Sequence, residues 1–86
     1  MEEHNPRLKK EILQVVSNQL RMNDPPETKA TLDRLISEGY SKKEAKELIG
    51  AVVSAHIYEM LKEHHDYDNS KYIKYLEKLP KLPWED

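Results

Sequence analysis

Apolar side chains fall on one side of a helical wheel in four successive stretches of this chain, with prolines or a glycine between three of them. In PRLKKEILQVVSNQLRM, Leu8, Ile12, Leu13, Val15, Val16 and Leu20 recur at spacings of three and four, the period of one helix face. Asn5 stands where an N-cap is wanted and Pro6 at a first helical position, which predicts a helix over about 6–22. Asp24-Pro25-Pro26 ends the pattern, because neither proline continues a helix and Pro26 holds Pro25 extended. Pro26 then opens a second helix, about 26–38, with Asp24 and Glu27 near its positive end and Leu32, Leu35 and Ile36 facing inward. Gly39 is its left-handed stop.

Ser41-Lys42-Lys43-Glu44 has the form of a capping box and opens the longest helix, about 42–64. Its apolar positions, Ala45, Leu48, Ile49, Val52, Val53, Ile57, Met60 and Leu61, make a face broad enough for a central helix. HHDYDNS interrupts it, and Asp68 or Asn69 caps a fourth helix, about 69–79, whose inner side is Tyr72, Ile73, Leu76 and Leu79. Pro80 stops that helix. In the tail, 80–86, Pro80 and Pro83 favour polyproline II with Leu79 and Leu82 along one edge. Trp84, the sole tryptophan, is expected to pack on the third or first helix, leaving Glu85 and Asp86 in solvent. The fold class is therefore all-α: one domain, a small up-and-down bundle of about four helices with an extended C-terminal tail packed on the core.

Composition narrows this picture. Of 86 residues, 37% are hydrophobic and 35% charged, and a chain this size hides roughly two-thirds of its surface on folding. So thin a core gains from a subunit interface, and a homodimer through Leu13, Val16 and Leu20 is expected, with a protein partner as the other possibility. The absence of cysteine excludes disulfides and thiolate metal sites. The net charge of −2 is spread evenly: residues 1–40 hold 6 basic and 7 acidic side chains, residues 41–86 hold 8 and 9. That balance suits a general nucleic-acid binder poorly. No apolar run is long enough to span a membrane and the first residues lack a signal-peptide core, so a cytoplasmic protein is expected.

Residues that bear chemistry are few. His56 falls on the apolar face of the third helix with Glu59 and Glu63 three and seven residues on, a spacing compatible with a metal ligand set or an acid–base pair. The plainer reading is a partly buried histidine whose ring nitrogens meet Tyr or Glu side chains, since the first two helices offer no inward His or Glu to complete a site. His64 and His65 are denser in ligand type, but neighbours on a helix point about 100° apart, and histidine near a helix C-terminus is favoured by the dipole alone. Lys71, Lys74 and Lys78 with Tyr75 could meet phosphates and a base, or form a solvated outer face. Ser17, Ser37 and Ser54 lie on helices with no base beside them, and no phosphate loop or nucleophile elbow occurs. No cofactor is expected, no catalytic residue is assigned, and enzymatic activity is not expected.

Four features occur together: NDPPE before the second helix, the GYSKKEA turn, the Ile49-x-x-Val52-Val53 core and the closing LPKLPWE. Over about positions 18–86 the chain thereby resembles a family of small bacterial and archaeal helical proteins of unknown function. The resemblance implies an all-α fold in the cytoplasm and transfers no catalytic residue. The leading expectation is a non-enzymatic helical module that self-associates or binds another protein. The alternatives are a metal-binding or metal-dependent enzyme using His56, Glu59 and Glu63, and a nucleic-acid-associated protein using the lysine face of the fourth helix.

Overall fold

Four helices carry the chain in the computed structural model, which describes residues 6–64, 66 and 68–85: α1 (Pro6–Met22), α2 (Pro26–Ser37), α3 (Lys42–Glu63) and α4 (Asn69–Lys78). The described residues contain no strand. Asn5, His65, Tyr67 and Asp86, to which the sequence reading gave roles or places, lie outside the described residues. α2, α3 and α4 each end one residue earlier than expected, at Ser37, Glu63 and Lys78.

Each helix end has a local cause. Asn23, left-handed at φ 54°, stops α1: its N–H bonds Leu20 O at 3.3 Å and the Asp24 N–H bonds Gln19 O at 3.1 Å. That is the double carbonyl closure of a Schellman motif. Gly39 repeats it for α2 at φ 109°, with Gly39 N–H on Ile36 O at 3.0 Å and Tyr40 N–H on Leu35 O at 3.1 Å. Both arms of the capping box form at α3, Ser41 N–H to Glu44 Oε1 at 2.9 Å and Glu44 N–H to Ser41 Oγ at 3.0 Å. His64, left-handed at φ 56°, ends α3, and Asp68 caps α4 by accepting the Lys71 N–H at 3.2 Å. Leu79 is extended (φ −56°, ψ 143°), as a residue before proline must be, so α4 stops one residue short of it.

α2 and α3 touch each other and both outer helices, so they form the centre of the bundle. Val16 of α1, Leu35 of α2, Ile49 and Val52 of α3 and Leu76 of α4 are fully buried there, beside Tyr72 and Leu79. A Cβ on Gly50 would lie 3.3 Å from Ile12 Cγ2 and 3.4 Å from Leu13 Cδ2, so α1 sits close against α3 at this glycine. The inward side of α2 differs from expectation: Thr28, Thr31, Leu32 and Leu35 are buried, whereas Ile36 is 41% exposed. Thr28 is tolerated inside because its hydroxyl donates to Gln19 Oε1 at 2.8 Å, and the Tyr72 hydroxyl donates to the same oxygen at 2.8 Å. One carboxamide oxygen thus joins α1, α2 and α4. Arg34 adds a second α2–α4 tie, donating to Leu76 O at 3.1 Å in the last turn of α4.

Candidate functional site

The inward face of α3 is narrower than its apolar pattern. Ala45, Ile49, Val52, Val53 and His56 are buried, but beyond His56 the helix leaves the core: Ile57 is 36% exposed, Tyr58 63% and Leu61 72%. The cause is angular: at about 100° per residue, Ile57 and Leu61 point roughly 100–150° away from the line of Ile49, Val52 and His56 that the other helices cover. Leu61 and Ile57, expected inside, are therefore at the surface.

The tail crosses this exposed end. Lys81 N–H bonds Lys78 O at 2.9 Å, Glu85 N–H bonds Leu82 O at 3.0 Å, and the Glu85 carboxylate accepts the Leu82 N–H at 2.9 Å. These internal bonds are those of successive tight turns and replace the polyproline II course expected beyond Leu79, which has none. Leu79 is buried and Leu82 half-buried against the core, so the tail is anchored. Trp84 lies beside α3 as expected but is not buried: 63% of its surface is open. Together with Pro83 it forms one wall of an open groove of about 510 Å³, whose other wall is Ser54, Ala55, Tyr58, Glu59, Lys62 and Glu63. The Lys62 ammonium stands 5.9 Å from the Tyr58 ring centroid, a cation–π contact within one helix turn.

Four of the polar residues singled out in the sequence, His56, Glu59, Lys71 and Tyr75, have internal partners. His56 is 2% exposed; its Nε2 accepts the Asp68 N–H at 3.3 Å and its ring tilts against Tyr72 at a centroid distance of 5.8 Å. It ties α3 to the start of α4 through a backbone group, where a side-chain partner was expected. Glu59 Oε2 accepts the Tyr75 hydroxyl at 2.6 Å, and Glu59 Oε1 lies 3.1 Å from Lys71 Nζ. Burial pushes the Glu59 carboxyl up, but the Tyr75 and Lys71 hydrogen bonds outweigh it and hold the group below its ordinary value. Burial and the carboxylate together raise Tyr75, and the hydrogen bond to Glu59 raises Lys71. Two members of the α4 lysine face, Lys71 and Tyr75, are thus directed at α3, while Lys74 and Lys78 are exposed.

Glu63 and His64 are exposed at the end of α3, and His56 is buried between helices; His65 lies outside the described residues. Among the described residues no three His, Asp or Glu side chains are placed to hold a metal ion. Ser37 Oγ donates to Arg34 O at 2.7 Å within its own helix, and Ser54 is exposed on α3. A second groove, about 420 Å³, lies between Leu13 and Ser17 of α1 and Lys42, Lys43, Lys46 and Glu47 of α3; Lys9 pairs with Glu47 at 3.1 Å. Val16 is fully buried and Leu13 and Leu20 are half-buried, so the α1 face expected to form a dimer is largely spent inside the subunit. No helix of the described residues is long and apolar enough to cross a membrane. Neither a family model, nor a curated protein, nor a solved structure matches this chain.

Proposed function

We propose that this chain is a non-enzymatic, cytoplasmic helical module that works by self-association, and that the α3–tail groove is its contact surface. One observation carries the reading: Trp84 and Tyr58, the walls of that groove, are both 63% exposed, next to Leu61 at 72%. On a chain this poor in apolar residues, exposed aromatics gathered in one place mark an interaction surface. The internal partners of His56, Glu59 and Tyr75 support a structural role for the polar cluster they form beside the groove. The homodimer is tested by light scattering over a range of concentrations. A mass rising toward twice the 10.2 kDa chain is expected at high micromolar concentration, and replacing Tyr58 and Trp84 by Ala should lower it. A constant 10.2 kDa species throughout would end the reading.

A further inference from the structure

We infer that the partner across this surface is a second copy of the chain, packed antiparallel along α3 with Ser54 beside the two-fold axis. The inference rests on the self-association just proposed and adds its geometry. Positions 43, 47, 51, 54, 58 and 61 are spaced by three or four residues and so share one side of α3. None of them is buried: Lys43, Ser54, Tyr58 and Leu61 are exposed, Glu47 and Ala51 half-buried. The other sides of the helix carry the buried residues of the core, and only the N-terminal end of the stripe, Lys43 and Glu47, borders α1.

Size and charge along this stripe are self-complementary only on reversal. Its middle is small, with Ala51, Ser54 and Ala55, while its C-terminal part is large, with Tyr58 and Leu61. A two-fold axis next to Ser54 lays Tyr58 of each copy over Ala51 of the other, since one lies three residues before Ser54 and the other four after. The same operation brings Glu47, seven residues before Ser54, opposite Lys62, eight residues after it; Glu47 already holds Lys9 of its own subunit through Oε2, and its partly exposed carboxylate would bridge both cations. A parallel pairing would instead set Lys62 against Lys62 and Tyr58 against Tyr58. Antiparallel helices also place opposite dipole ends together, so that Lys43 of each copy reaches the C-terminal carbonyls of the other α3. The contact is isologous, and it closes at two subunits. Trp84, beside Tyr58 across the groove, is covered at each end of the interface.

The chain has no cysteine, so a Ser54→Cys variant carries a single thiol at an exposed position. Mild oxidation should convert most of that variant to a covalent dimer, while Asp33→Cys, on the exposed side of α2, should give little. Lys62→Glu should raise the dissociation constant about three- to tenfold, and adding Glu47→Lys in the same chain should restore it. If light scattering finds a dimer but Ser54→Cys does not cross-link, or the double reversal does not rescue, the antiparallel α3 arrangement is overturned and self-association stands. If the chain is a monomer at every concentration, both fall together.

Discussion

The phenol of Tyr72 and the carboxamide of Gln19, 53 residues apart, meet at 2.8 Å, and the same Gln19 oxygen accepts the Thr28 hydroxyl at 2.8 Å. Thr28 is fully buried and Tyr72 is 1% exposed, so neither hydroxyl can turn to water if the acceptor is lost. A single surface-helix glutamine therefore satisfies two core donors from two other helices.

Replacing Gln19 by Leu removes the shared acceptor of both hydroxyls. Each buried unsatisfied group costs about 1–3 kcal/mol, so the variant should lose about 2–6 kcal/mol in urea unfolding. Tyr72→Phe removes one donor together with its need and should cost about 1 kcal/mol. Combined with Gln19→Leu, Tyr72→Phe should cost less than the sum of the two. Strict additivity would mean that the bond contributes nothing.

His56→Leu keeps an apolar body on α3 but removes the acceptor for the Asp68 N–H. Its expected cost is about 1–3 kcal/mol, and His56→Gln, which can still accept, should recover part of it. Amide hydrogen exchange at Asp68 is the specific readout: protection should fall in the Leu variant. Unchanged exchange there would detach His56 from α4.

These internal ties explain what the sequence could and could not tell. Capping signals were legible because they are local: Ser41 with Glu44, Asp68 before α4 and Gly39 after α2 each act within three or four residues. The apolar period likewise disclosed four helices, and with them the bundle. Which edge of a broad apolar face stays wet was not legible, since it depends on which sides of α3 the other helices cover, and so Leu61 and Ile57 were placed inside. Thr28 and Thr31 were passed over as core because their burial depends on partners from elsewhere, Gln19 for Thr28. Asn23 could have been read as a left-handed stop, since asparagine is the usual alternative to glycine there. The candidate ligands His56, Glu59 and Glu63 share a spacing, but spacing cannot show that Tyr75 and Lys71 already hold Glu59.

Glu59 links stability to pH. Its folded pKa lies below the ordinary 4.5, so its contribution is present above about that pH and is lost as pH falls through the folded value. Tyr75 is shifted the other way, upward from 10.0, so its contribution is present below pH 10 and is lost above it. Glu59→Gln should flatten the acid side of a melting-temperature profile without changing the helical spectrum. The effect should be modest, about 1 kcal/mol or less, because Glu59 and Lys71 both keep contact with solvent. An acid limb identical in the variant would place the sensitivity elsewhere.

The tail is anchored by the buried Leu79, while its Trp84 stands outside. Leu79→Ala should cost about 2–4 kcal/mol, as expected for a fully packed leucine, while Trp84→Ala should change the stability of the isolated subunit by less than about 1 kcal/mol. Equal losses in thermal unfolding at low concentration would contradict the exposed position of the indole.

Because Trp84 is the sole tryptophan, its emission reports the proposed interface directly. At the lowest workable concentration its spectrum should resemble that of an indole in water, and iodide should quench it freely. On raising the concentration into the high micromolar range, self-association through α3 predicts a blue shift and protection from iodide, in step with the doubling of mass. Emission that stays water-like and fully quenchable while the mass doubles would show that the copies meet elsewhere. A spectrum and a mass that both stay constant would show that they do not meet at all.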